Sequence, residues 1–139
     1  MSLTVTRAAV KAKLGLDTPA HDAAIDGLIA DWVPVIEFAL EPSAVNDPTV
    51  GMTKTLDLGA TEVVAGEFMA QLARTFGYFD SVKVGDFELR PFFRPNILDP
   101  TGLKEQGRRR LRPFLRTEAA HSFATLVWGT DGKAPEDDP

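Results

Sequence analysis

Between residues 25 and 40 the chain places large apolar side chains three and four positions apart, a spacing that only a helix gathers onto one face. This apolar stripe consists of Ile25, Leu28, Ile29, Trp32, Val33, Ile36 and Leu40. Thr18 can cap such a helix and Pro19 suits its first turn, so the pattern predicts a helix over 19–40. Pro34 interrupts the stripe with a residue that lacks an amide hydrogen, which predicts a kink or a restarted helix. So wide a stripe must pack against other elements in a core.

Two more stretches of the chain carry helical signals. A short helix over 7–14 is predicted, because Thr4 or Thr6 can cap its start and Gly15 can end it in the left-handed conformation. A longer helix is predicted over 61–79 from a second apolar stripe. Its residues stand four apart and are Val64, Phe68, Leu72 and Phe76.

The other parts of the chain give different signals. Residues 43–57 contain an Asn-Asp-Pro turn signal, and the sequence leaves the rest of this stretch open between extended and irregular structure. Residues 82–89 alternate apolar and polar side chains on either side of Gly85 and Asp86, which predicts a hairpin with a tight turn. A closing helix is predicted over 101–112.

These elements predict a mainly α fold. It is a small helical bundle of three main helices plus a short N-terminal helix, with one short β-hairpin. The length of 139 residues and a hydrophobic fraction of 44% fit one globular domain, which we assign to 1–128, followed by a disordered acidic tail over 129–139. We expect a single core formed by Trp32, Ile36, Phe68, Leu72, Phe76 and Leu111.

Charge is distributed unevenly along a chain whose net charge is −5. Residues 15–62 carry nine acidic side chains and one basic one, whereas residues 104–116 carry six basic side chains and one acidic one. Each patch taken alone is explained as well by a solvated helix face as by a docking surface. The two together favour contacts between copies of this chain, or with a partner of opposite charge.

The sequence offers little for catalysis or metal binding. It has no cysteine and two histidines, and it lacks the common nucleotide-binding, metalloprotease and hydrolase motifs. Asp22 and Asp26 stand one helical turn apart without a third ligand at matching spacing, so an acidic helix face is the simpler explanation. We therefore expect a protein that is not an enzyme and binds no cofactor or metal. No long apolar run or N-terminal signal is visible, which predicts no membrane partner.

The order of these features resembles the head–tail connector proteins of tailed bacteriophages, also called adaptor or head-completion proteins. That family has a short helix, a long acidic helix, a second long helix rich in alanine and aromatic residues, a short β element and a closing basic helix. Residues 81–89 match its Ser-Val-x-Val-Gly-Asp-x-x-Leu pattern. Residues 111–116 match its Leu-x-Pro-aromatic-Leu/Arg ending, and the resemblance covers residues 3–116.

The resemblance implies a structural subunit that forms a homo-oligomeric ring, a dodecamer by this likeness, below the portal protein of a capsid. Such a ring extends the DNA channel without sequence-specific binding and docks a neck, stopper or tail-completion protein. It implies a location in the virion neck, and in the host cytoplasm during assembly. Residues 122–128 are expected to be an assembly arm that contacts a neighbour or the portal. The candidate interface residues are Asp22, Asp26, Glu37, Arg109, Arg112, Arg116, Phe123 and Trp128.

The arginine run supports an alternative function. Between Arg108 and Arg116, arginines three and four positions apart could contact successive phosphates, as in a small helical nucleic-acid-binding or regulatory protein. The acidic character of the whole chain, and the lack of stacking aromatic residues beside the run, favour protein contacts instead.

Overall fold

The computed structural model describes residues 3–46, 49–76, 82–89 and 99–116. These residues are mostly helical, so the predicted helical bundle is confirmed. The helices are α1 (Arg7–Leu14), α2 (Asp22–Ala39), α3 (Pro42–Asn46), α4 (Val50–Phe76) and α5 (Leu103–Leu111), and the strands β1 (Val82–Val84) and β2 (Phe87–Leu89) lie between α4 and α5. Short 3-10 turns precede α2 at Pro19–His21 and follow α5 at Arg112–Phe114.

Helix α1 begins at a predicted capping residue, whereas the predicted cap Thr18 lies before a 3-10 turn and α2 itself begins later, at Asp22. The Thr6 hydroxyl accepts a hydrogen bond from the amide of Ala9 at 3.1 Å, and Gly15 ends α1 with φ of 72°. Thr18 accepts from the amide of Ala20 at 3.3 Å at the turn that leads into α2. Local capping chemistry therefore sets both ends of α1 and the start of the turn before α2.

Helix α2 continues through Pro34, so of the two predicted alternatives, a kink or a restarted helix, the restart is wrong. Proline removes only one donor from the helix, the one that would have bonded to the carbonyl of Ala30. Ala30 is exposed, which leaves that carbonyl near water. The apolar stripe of α2 packs on both sides of the proline and holds the helix together.

Helix α4 begins at Val50, whereas the sequence predicted a start near residue 61 and extended or irregular structure before it. Threonines and glycines in this stretch are weak helix formers, which hid the signal. Thr49 caps the helix by accepting from the amide of Met52 at 3.3 Å, and the hydroxyls of Thr53 and Thr55 donate back to carbonyls four residues earlier. Packing of the apolar side chains then outweighs the weak local preference.

Helix α4 is the centre of the bundle, and every residue from 59 to 70 is buried. Helix α5 crosses it at very short distance, because glycines stand at the crossing. A Cβ atom added to Gly66 would lie 2.6 Å from the amide nitrogen of Lys104, and one added to Gly107 would lie 2.5 Å from the carbonyl oxygen of Gly59. The backbones of α4 and α5 therefore touch where side chains would normally separate two helices.

The core consists of two clusters, whereas the sequence predicted one. Ile36 and Leu111 belong to the first cluster and Phe68 to the second, while Trp32 is partly buried and packs against both. Because the middle of α4 is enclosed on all sides, apolar residues on its opposite faces contact different neighbours. Leu72 is only partly buried at the second cluster, and the side chain of Phe76 lies outside the part of the chain whose side chains are described.

The predicted hairpin is present, with β1 and β2 paired antiparallel around a turn of two residues. Gly85 has φ of 57°, in the region that favours glycine. The turn packs against the end of α1, where the amide of Asp86 donates to the carbonyl oxygen of Leu14 at 2.9 Å. A Cβ atom on Gly85 would lie 2.0 Å from that oxygen, so only glycine fits this contact.

Candidate interaction surfaces

Two of the acids predicted as docking residues, Asp22 and Asp26, contact α1 of the same chain. Lys11 Nζ lies 2.9 Å from Asp22 Oδ1, and Arg7 Nε donates to Asp26 Oδ1 at 2.9 Å. The hydrogen bond from Arg7 lowers the pKa of Asp26, because it stabilises the ionised carboxylate. Glu37 accepts a hydrogen bond from the amide of Leu3 at 3.4 Å. These acids hold the N-terminal part of the chain against α2.

The arginines of α5 have acidic partners within the same chain. Arg108 is buried and donates from Nε to Glu105 at 3.0 Å, while Arg109 donates from Nε to the same carboxylate at 2.7 Å. Arg110 Nε donates to Glu62 of α4 at 2.6 Å. Between residues 104 and 116 the sequence contains one acid, Glu105, so the acid that α4 supplies was missed. All three arginines of α5 therefore pair with acids of the same chain, and Arg108 does so from a buried position.

Two buried carboxylates on α4 form ion pairs with basic side chains of other elements. Glu62 is fully buried, and Lys13 Nζ lies 3.1 Å from its Oε2 in addition to the contact from Arg110. Glu67 Oε1 lies 2.6 Å from Nζ of Lys104, whose residue is 1% exposed. Each acid thus meets cations from other elements, as an ionised group in a core requires. These pairs join residues far apart in the sequence, so only the folded structure reveals them.

Asp99 fixes the start of α5. Its carboxylate oxygens accept from the amides of Lys104 at 3.1 Å and Glu105 at 3.0 Å, which are free donors of the first helical turn. Asp99 is 6% exposed, and this burial raises its pKa even though the two amide bonds act in the opposite direction. Asp99 therefore positions the basic helix against α4.

The outward side of α2 is apolar near its C-terminal end. Phe38 is 70% exposed, Val35 is 40% exposed, and Pro34 is exposed as well. We call these three residues the outer face of α2. The guanidinium carbon of Arg116 lies 4.9 Å from the centre of the Phe38 ring, a cation–π contact. Together the three side chains form a small exposed apolar patch.

The predicted interface residues therefore lie in different places. Asp22, Asp26 and Glu37 face the N-terminal part of their own chain, and Arg116 covers part of Phe38. The side chain of Arg109 is 58% exposed and Arg112 is exposed, so both lie on the outward side of the bundle. Phe123 and Trp128 lie outside the described residues, as do the expected assembly arm and acidic tail. Sequence reasoning missed Phe38, although its position opposite the apolar stripe of α2 could have revealed it.

Among the described residues there is no group of three or more side chains suited to holding a metal ion. Within the same ranges, no helix has the length and apolar character needed to cross a membrane. No protein-family model matches this chain, and no curated protein or solved structure matches it either.

Proposed function

We propose that this chain is a structural subunit of the neck of a tailed bacteriophage or prophage, in the class of head–tail connector proteins. In this role it forms a ring below the portal, extends the DNA channel and docks the next neck or tail protein. It acts through protein contacts and catalyses no reaction. DNA passes through the ring without being read.

The order of elements is the observation that carries this proposal. The connector resemblance requires a β element between the second long helix and the closing basic helix, and the hairpin of β1 and β2 lies between α4 and α5. The exposed Arg109 of α5 and Arg112 of the turn that follows it supply a basic surface for contacts with other proteins. A ring needs two different, complementary patches on each copy, and the exposed acids Asp31 and Glu41 can face the arginines of the next copy.

The arrangement of α5 also bears on the nucleic-acid alternative. Arg108 is buried against Glu105, and Arg110 is paired with the buried Glu62. An arginine whose guanidinium is engaged inside the bundle contributes little to phosphate binding, because the contact inside would have to break first. The pairing therefore favours protein contacts over a nucleic-acid surface.

The proposal is tested by measuring assembly of the full-length chain. The purified protein is examined by gel filtration with light scattering and by negative-stain electron microscopy. Both measurements are made alone and with the portal protein encoded in the same genome. We expect closed rings with a central channel, either free or on the portal, and a mass that is a multiple of 15.1 kDa.

Two results would contradict the proposal. One is a chain that remains monomeric at high concentration and does not bind the portal. The other is a monomer that binds DNA of any sequence with an affinity that falls steeply with salt, which would favour the nucleic-acid function.

A further inference from the structure

The outer face of α2 lies beside the point at which the described part of the chain ends. Phe38 is 70% exposed, and the cation–π contact from Arg116 is made on its ring. Arg116 Nε also donates to the carbonyl oxygen of Leu40 at 3.0 Å, which holds the arginine at this place. The chain continues for residues 117–139 from a position already in contact with the apolar face.

The direction of the chain at this point is set by an isolated antiparallel bridge between Leu40 and Leu115. The amide of Glu41 donates to the carbonyl oxygen of Phe114 at 2.8 Å, and the amide of Arg116 donates to that of Ala39 at 2.9 Å. The two segments therefore run in opposite directions, with residues 114–116 lying beside residues 41–39 in that order. At Arg116, the last residue described, the chain therefore runs antiparallel to the end of α2, in the direction of Phe38 and Val35.

The sequence beyond Arg116 fits an apolar face. Residues 122–128 read Ser-Phe-Ala-Thr-Leu-Val-Trp and contain no charged side chain. An extended chain covers at most about 3.3 Å per residue, so residue 122 lies within about 20 Å of residue 116. Helix α2 has 18 residues and is therefore about 27 Å long. The apolar segment can thus reach any part of the outer face without strain.

We propose that residues 122–128 dock on the outer face of α2 of the same chain. A segment tethered this close is present at a local concentration in the millimolar range, so it outcompetes the same segment of a second copy at micromolar protein. Docking removes the Phe38 ring and the segment's own aromatic side chains from water together. The inference rests on the exit geometry and not on the phage function.

The absence of cysteine from the chain allows a direct test. A single thiol is introduced on the outer face by Val35→Cys in the full-length protein, and its rate of labelling by a maleimide is measured. We expect labelling about tenfold slower than after the additional changes Phe123→Ser and Trp128→Ser, because the covered thiol reacts only when the segment opens. Gln106→Cys, at an exposed position on α5, is the control and should label at the same rate in both backgrounds.

The dependence of the labelling rate on protein concentration distinguishes the possible occupants of the outer face of α2. Slow labelling that does not change with protein concentration, and that the two serines relieve, supports docking within one chain. Protection that grows with concentration would overturn the inference in favour of a second copy. Fast labelling at every concentration, or protection that survives the serine changes, would also overturn it. Far-UV circular dichroism of each variant checks that the helices are retained.

Discussion

Charged residues hold this bundle together at positions where apolar ones would be expected. Lys104 is almost fully buried, lies 5.9 Å from the centre of the Trp32 ring, and pairs with Glu67 at 2.6 Å. A buried ion pair gives weak net stability, but loss of one partner leaves an uncompensated charge in the core. The effects of single substitutions here should therefore exceed those of paired ones.

We expect Lys104→Met to lower the free energy of unfolding by about 3 kcal/mol, because the Glu67 carboxylate loses its closest cation while it stays buried. Arg74, at 3.3 Å from Glu67, offsets part of this loss from a more exposed position. Adding Glu67→Gln to Lys104→Met should recover part of the stability, since the buried charge is removed as well. Urea unfolding of the two single variants and the double variant measures the coupling. Additive effects would show that the pair does not act as a unit.

Asp99 and Asp26 should respond to pH with opposite signs. The raised pKa of Asp99 means that the folded state binds the proton of this carboxyl more tightly than the unfolded state does. The contribution of Asp99 to stability therefore falls as pH rises above its pKa in the unfolded chain, about 4. The lowered pKa of Asp26 stabilises the fold above that pH, and this contribution is lost as pH falls. The free energy of unfolding of Asp99→Asn, minus that of the wild type, should therefore increase as pH rises. The same difference for Asp26→Asn should decrease. Urea unfolding between about pH 3 and about pH 6 measures both slopes, and slopes of equal sign would contradict the assignment.

At the scale of elements, α4 determines the architecture, because all the other long helices pack on it. Its N-terminal half carries Met52, Leu56 and Ala60 four positions apart, which is a helical pattern in a stretch of weak helix formers. Its middle carries Gly59 and Gly66, which allow α5 to approach closely.

Two leucines of α4 test whether its N-terminal half belongs to the core. Leu56 is 2% exposed in the first cluster, whereas Leu58 is 37% exposed. We expect Leu56→Ala to cost about 2–5 kcal/mol through lost burial and a residual cavity. Leu58→Ala removes the same atoms from a solvent-exposed position and should cost less than about 1 kcal/mol. Chemical unfolding compares the two, and equal losses would mean that the helix is rotated from the arrangement described.

The glycine contacts between α4 and α5 give a second matched pair. Gly107→Ala places a methyl group against the Gly59 carbonyl, so we expect a net loss of about 1–3 kcal/mol although alanine favours helices. Gly27→Ala lies on α2 with nothing within 4 Å of the added Cβ, and it should stabilise by about 0.5–1 kcal/mol. Thermal unfolding measures both shifts. A stabilising Gly107→Ala would contradict the close crossing.

The sequence predicted the elements whose signals are local, and it failed where long-range contacts decide. The caps at Thr6 and Gly15, the hairpin turn and the apolar stripe of α2 are short-range patterns with a direct physical meaning. The start of α4 was missed because threonine and glycine disfavour a helix that tertiary packing nevertheless stabilises. The pairing of Glu62 with Arg110 was missed because the two residues are 48 positions apart and no periodicity links them.

For the whole molecule, folding neutralises part of the charge that is separated along the sequence. The acids near the start of α2 pair with α1, and the acids of α4 pair with α5. On the outward side of the bundle, Arg109 of α5 and Arg112 of the turn that follows it form an exposed basic surface. The acids available for contacts between copies are therefore those without a partner in the bundle, such as Asp31, which is exposed and has no ion pair among the described residues.

Arg109 of α5 and Arg112 of the turn that follows it should contribute to self-association. Exposed ion pairs are worth only about 0–1 kcal/mol each, so the double reversal Arg109→Glu and Arg112→Glu should weaken ring formation by about tenfold and alter it most at low salt. Reversing Asp31 and Glu41 to lysine in the same chain should partly restore it, because both acids are exposed. Arg7→Glu is the control: it breaks the contact with Asp26 and lowers stability without changing the ring surface. Light scattering over a range of concentrations measures the association. If the arginine reversal abolished DNA binding by monomers and left self-association unchanged, α5 would be a nucleic-acid surface and not a ring contact.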